Sequence, residues 1–174
     1  MISQRSDAEG KLIESIQEGE TISKRFYPLT PDGPFVSKAW PSKFEYCIVD
    51  RDGKQQPLTF LTTHDIYEQY LAFFPISGGR WIGLSPLANA PVRDSLRVSV
   101  FGTHGVLFSN VVAGCYHNDS EALRTLSRPA PLRSAIRFYD YDFDSGREDV
   151  RFRTHGGNFV FDANAGNLKK AADE

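Results

Sequence analysis

The sequence predicts an α+β domain: a curved antiparallel sheet wrapped round N-terminal helices as a cone. Three observations point there. Apolar residues recur at helical spacing near the start (Leu12, Ile13, Ile16) and again from Ile66 to Phe74. The second half alternates apolar and polar residues with period two between Asp- and Gly-rich turns. Thirteen Phe, seven Tyr and two Trp supply rings that could line a concave sheet.

The elements follow in order. Ser6-Asp7-Ala8-Glu9 has the spacing of a capping box, and Gly19 is placed to end the helix it opens. A second helical stretch is expected over 21–27, where Ile22 and Phe26 stand four apart. Residues 28–42 hold four prolines and read as loop. Residues 43–49 alternate as a strand with Phe44, Tyr46 and Ile48 on one face. Asp50-Arg51-Asp52-Gly53 is a turn signal, and Leu58–Leu61 is expected to return as the second strand of a hairpin. A helix is expected from Thr62 or Thr63 to Phe74, with Ile66, Tyr67, Tyr70, Leu71 and Phe74 as its apolar stripe and Pro75 as its stop.

Gly78-Gly79 turns the chain into a strand at Arg80–Leu84, and 85–93 reads as loop. Leu96, Val98 and Val100 alternate with Arg97, Ser99 and Phe101, and 106–112 is the partner strand across Gly102-Thr103-His104-Gly105. A short helix capped by Asp119 or Ser120 is expected to run to Arg128. Arg133–Phe143 reads as a long strand, Asp144-Ser145-Gly146-Arg147 as a turn, and 149–153 as its return with Val150 and Phe152 inward. A last strand is expected at 158–161. One domain over 1–174 results, with its core at 7–161 and a polar, frayed tail over 162–174.

Composition excludes some classes. The net charge of −2 lacks the basic footprint of a nucleic-acid binder. No apolar run approaches a membrane span and no secretory leader opens the chain, so a cytoplasmic protein is expected. Cys47 and Cys115 are too few and too distant for a zinc knuckle, and the four histidines lack metal-ligand spacing, so no metal is expected. No phosphate loop, nucleophile elbow or dinucleotide fingerprint appears, and no cofactor is expected.

The candidate chemistry lies late in the chain. In the 133–143 strand, Asp140 and Asp142 share the parity of Ile136 and Phe138. On an apolar face such carboxylates would serve as general acid or base. The alternative is that the strand leaves the sheet there and both face water. Tyr139 lies on the opposite parity, where a hydroxyl could polarise a carbonyl. His117, just past a strand, is the histidine placed to partner them, and Tyr46, Tyr70 and Trp81 complete an expected aromatic lining for a small-molecule substrate.

The order of helix, strand pair, the helix Thr62-Thr63-His64-Asp65-Ile66-Tyr67-Glu68-Gln69-Tyr70-Leu71 and a long meander resembles the ketosteroid-isomerase-like superfamily, with its nuclear-transport-factor-like and SnoaL-like polyketide-cyclase members. The resemblance spans residues 7–155 and implies a cofactor-independent isomerase, cyclase or dehydratase with a conical apolar pocket, and a homodimer. Asp140 or Asp142 would be its base. The same resemblance permits a non-catalytic module that binds a ligand or a protein. A calycin-like β-barrel is the alternative fold.

Overall fold

The computed structural model describes residues 4–6, 12–15, 21–28, 42–63, 68–117 and 139–172. Its strands form three antiparallel sheets, and no α-helix occurs among the described residues. The α+β cone with N-terminal helices is therefore corrected to an all-β build, and the helix order behind the superfamily resemblance is not the order observed. The barrel alternative is corrected too, because each sheet is open. Two compact units divide the chain: Met1–Gln69 with Thr103–Gly105, and Tyr70–Gly102 with Val106–Glu174.

The first unit is a meander of β1 (Gln4–Ser6), β2 (Leu12–Ser15), β3 (Thr21–Pro28), β4 (Ser42–Val49) and β5 (Gln55–Pro57), each paired with its neighbour in sequence. The helix read from Leu12, Ile13 and Ile16 is corrected to β2, and Ile22 and Phe26 explain why a second helix was expected after it. A spacing of four keeps two residues on one side of a helix, but it also keeps them on one face of a strand. Here Ile22 registers with Ile48 and Phe26 with Phe44, so the partner strand decides. In β4, Phe44, Tyr46 and Ile48 are buried while Glu45, Cys47 and Val49 are half-buried, the alternation the sequence shows. Asp50 Oδ1 accepts the backbone N–H of Asp52 and Lys54 to close the hairpin turn, and Gly53 takes a φ of 78°. The return strand is β5 rather than 58–61. Leu58 and Leu61 are both buried by a 3-10 turn over Thr59–Leu61, which brings residues three apart together.

The second unit holds two four-stranded meanders. One runs β6 (Ala72–Ile76), β7 (Arg80–Pro86), β8 (Leu96–Phe101) and β9 (Val106–Val112). The other runs β10 (Tyr141–Asp144), β11 (Asp149–Thr154), β12 (Gly157–Asp162) and β13 (Asn167–Lys170). The helix expected to reach Phe74 is corrected: every residue of β6 is buried, and an apolar run covered on both faces has no alternation to betray a strand. Its Pro75 sits on the sheet's edge strand, where a missing N–H costs no ladder bond. The expected helix start at 64–67, the loop at 29–41, the helix over 119–128 and the strand over 133–138 lie outside the described residues. The frayed tail is corrected to the turn and strand that end the second meander.

The two meanders bury their apolar faces together: Phe74, Ile82, Leu84, Val98 and Val100 from one, Val150, Phe152 and Phe161 from the other. Phe74 stacks on Phe143 at 4.6 Å, so β6 lies over β10. On the other face of the first meander, Tyr70 lies across Gly83 and stacks on Phe73 at 5.2 Å; a Cβ at Gly83 would stand 2.7 Å from the Tyr70 ring.

Candidate functional site

Three of the expected site residues come together beside β11. The segment after β9 runs alongside the start of the last meander. Cys115 bridges Thr154 and His117 bridges Tyr139. Tyr116 donates its N–H to the Arg153 carbonyl at 2.9 Å, and Asp140 donates to the Tyr116 carbonyl at 2.7 Å. This threading places side chains in couples. His117 Nε2 lies 3.2 Å from Asp94 Oδ1, and the His117 ring meets the edge of Tyr139 at 5.0 Å. Asp140 Oδ2 pairs with Arg153 at 3.4 Å. Tyr116 and His155 rings meet at 4.1 Å.

Asp94 is the member that sequence reading missed. It stands in a turn with a φ of 59°, a left-handed conformation that Asp tolerates because its short carboxyl can bond locally. Its carbonyl accepts the Cys115 N–H at 2.9 Å, which fixes the turn against the 115–117 segment. With the carboxylate holding Nε2, Nδ1 is the ring nitrogen left to exchange a proton. Nothing in Pro91-Val92-Arg93-Asp94 marks that role; only the turn's position beside His117 does. Cys115 is buried. Burial pushes its thiol up to about 12, and the Asp94 charge adds to that against a backbone hydrogen bond from Leu96.

The other candidates are placed elsewhere. Asp142 is exposed on β10 in register with Arg151, and Asp140 stands two residues away opposite Arg153, so the two share a polar face rather than an apolar one. Tyr46 is buried in the first unit. Tyr70 and Trp81 are buried in the second, where desolvation raises the Tyr70 pKa against the opposing effects of Arg97 and a Ser99 hydrogen bond. No cluster of three or more His, Cys, Asp or Glu suited to a metal occurs among the described residues, and no described helix is long and apolar enough to cross a membrane.

A second feature stands out on the same unit. Strand β9 ends its sheet, and Val106, Leu107, Phe108 and Val111 are 46%, 55%, 37% and 51% exposed. Phe108 leans on Gly166, and Asn110 donates to the Gly166 carbonyl at 3.1 Å. The odd-numbered face keeps Leu107 and Val111 in water. No family model, curated protein or solved structure matches the chain.

Proposed function

We propose that the chain is a non-catalytic protein-binding module whose contact strand is β9, and that its occupant is β9 of a second copy. The exposed apolar side chains of that edge carry the reading. Sheet edges of monomers are blunted with Lys, Pro or inward charges. The seven residues of β9, Val-Leu-Phe-Ser-Asn-Val-Val, contain none of these, and the strand's irregularity is a bulge at Leu107, where Val106 pairs with Phe101 and Phe108 with Val100. They are also self-complementary. An antiparallel two-fold pairing centred on Ser109 sets Leu107 of each copy opposite Val111 of the other, so the two most exposed apolar side chains of the strand cover one another. The absence of charge leaves no like-charge repulsion in that register.

The test is sedimentation velocity over a concentration series, with Val111→Lys as the variant. The wild type is expected to dimerise and Val111→Lys, which sets an ammonium against Leu107, to stay monomeric. A wild type that stays monomeric, or a Val111→Lys that dimerises equally, overturns the reading. An extended segment of another protein on β9 would appear as a monomer whose β9 amides gain hydrogen-exchange protection only in a mixed complex.

The Asp94–His117 pair favours a second reading. In it the chain is a cofactor-independent isomerase, cyclase or dehydratase on an apolar oxygenated small molecule, with His117 exchanging the proton and Asp94 orienting its ring. Thermal-shift screening against steroid-, terpenoid- and polyketide-like carbonyl compounds tests it. A ligand at about 100 times its dissociation constant adds ~2.7 kcal/mol of stability. Hits that His117→Gln does not alter end this reading.

A further inference from the structure

The last meander carries a row of oxygen donors that neither reading uses. Registered partners Asp144, Asp149, Asp162 and Asn167 lie side by side across all four strands. Their neighbours Val150 and Phe161 are fully buried in the core, so by the period of two this row faces away from it. Carboxylates directly opposite one another repel.

Asp144 is compensated. Its Oδ1 accepts the N–H of Gly146 and Arg147, and Arg147 Nε lies 3.4 Å from Oδ2. Asp162 Oδ1 accepts the N–H of Asn164 and Ala165. Asp149 differs from both. It is 8% exposed, and its Oδ1 is buried with no hydrogen-bond partner. Asn167 Oδ1 is buried and without a hydrogen bond in the same way. These two orphan oxygens flank Asp162, one strand away on each side. A buried carboxylate is costly unless it is paired or bound to a metal. Arg151 and Lys169, exposed in the next outward row, form no ion pair with Asp149.

We propose that Asp149, Asp162 and Asn167 form a site for a hard divalent cation of the calcium class. The donors are all oxygen, two of them from carboxylates, and the set holds no His or Cys for a softer metal. Calcium completes a set of 6–8 ligands with water and tolerates irregular geometry. Two carboxylates and one amide make a weak site, in the range of about 10⁻⁴–10⁻³ M typical of low-charge modules.

The test is a thermal melt of the whole chain in calcium chloride up to about 10 mM, well above that range, against sodium chloride of equal ionic strength. The wild type is expected to melt higher in calcium, and Asp149→Asn, which keeps the shape and removes the charge, to lose the rise. Asn167→Leu gives a second arm should Asp149→Asn fold poorly, and is expected to weaken the response at least several-fold. A wild type that does not respond overturns the site, as does an equal rise in the folded variants. The readout is independent of dimerisation through β9, which Val111→Lys removes on its own.

Discussion

At the residue scale, two buried groups give direct tests. Gly83 is a glycine because Tyr70 lies across it, so even one methyl must displace the ring or the strand. Gly83→Ala is expected to destabilise by about 1–3 kcal/mol, the usual cost of overpacking, measured by urea denaturation. Cys115 is expected to resist alkylation in the folded protein at neutral and mildly alkaline pH, while the half-buried Cys47 reacts; mass spectrometry after a short iodoacetamide pulse reads both. The linkage sign follows from the raised thiol pKa. Cys115 contributes full stability below the ordinary thiol value and loses it as pH rises toward about 12. Part of this scale was legible in the sequence: Val150 and Phe152 are inside and Arg151 and Arg153 outside, as alternation implied. Asp94 was not, because its role depends on a turn meeting a segment more than twenty residues later, and no local pattern records that.

At the element scale, the strands legible in advance were those whose two faces differ, such as β4 and β11. Those misread were β2 and β3, where a spacing of four serves either helix or strand, β6, where both faces are buried, and β13, which was read as a frayed tail. The turn at Asp144 was legible for a chemical reason, while the one at Asp162 was read as a frayed tail although it uses the same chemistry. Asp144 and Asp162 each cap a turn by accepting two backbone N–H groups, and each turn ends on a left-handed residue, Glu148 with φ 55° and Gly166 with φ 66°. Glu148 keeps that unfavourable conformation while its carboxylate accepts the Ser77 N–H and hydroxyl and lies 3.9 Å from Arg80. Desolvation pushes its pKa up, but the hydrogen bonds from Ser77 and Asn164 and the Arg80 charge outweigh it, and the net shift is downward. A depressed carboxylate stabilises above its unfolded pKa and loses that as pH falls through the folded one. Glu148→Gln is therefore expected to lower the melting temperature at neutral pH, and the gap to the wild type is expected to close on acidification below the ordinary carboxylate range.

At the scale of the whole molecule, the sequence displayed its meander of short strands but not its class, since class turned on three apolar stretches, at 12–16, 21–27 and 66–74, whose spacing was read as helical. Far-UV circular dichroism is expected to be dominated by strand signal; a spectrum of mainly helical shape would contradict the three-sheet build. The expected carboxylate pair is not an apolar-face site because Asp140 and Asp142 stand opposite Arg153 and Arg151, on the polar side of the β10–β11 pair. The consecutive pairing of strands also bears on the rate at which the chain folds. Every ladder closes through a neighbour in sequence, so each hairpin can form with little loop entropy to overcome. The docking of one meander on the other is then expected to be the slow event in the second unit, and the link from Ser77 to Glu148, 71 residues apart, would belong to it. If that link forms after the barrier, breaking it speeds unfolding and leaves the refolding rate nearly unchanged.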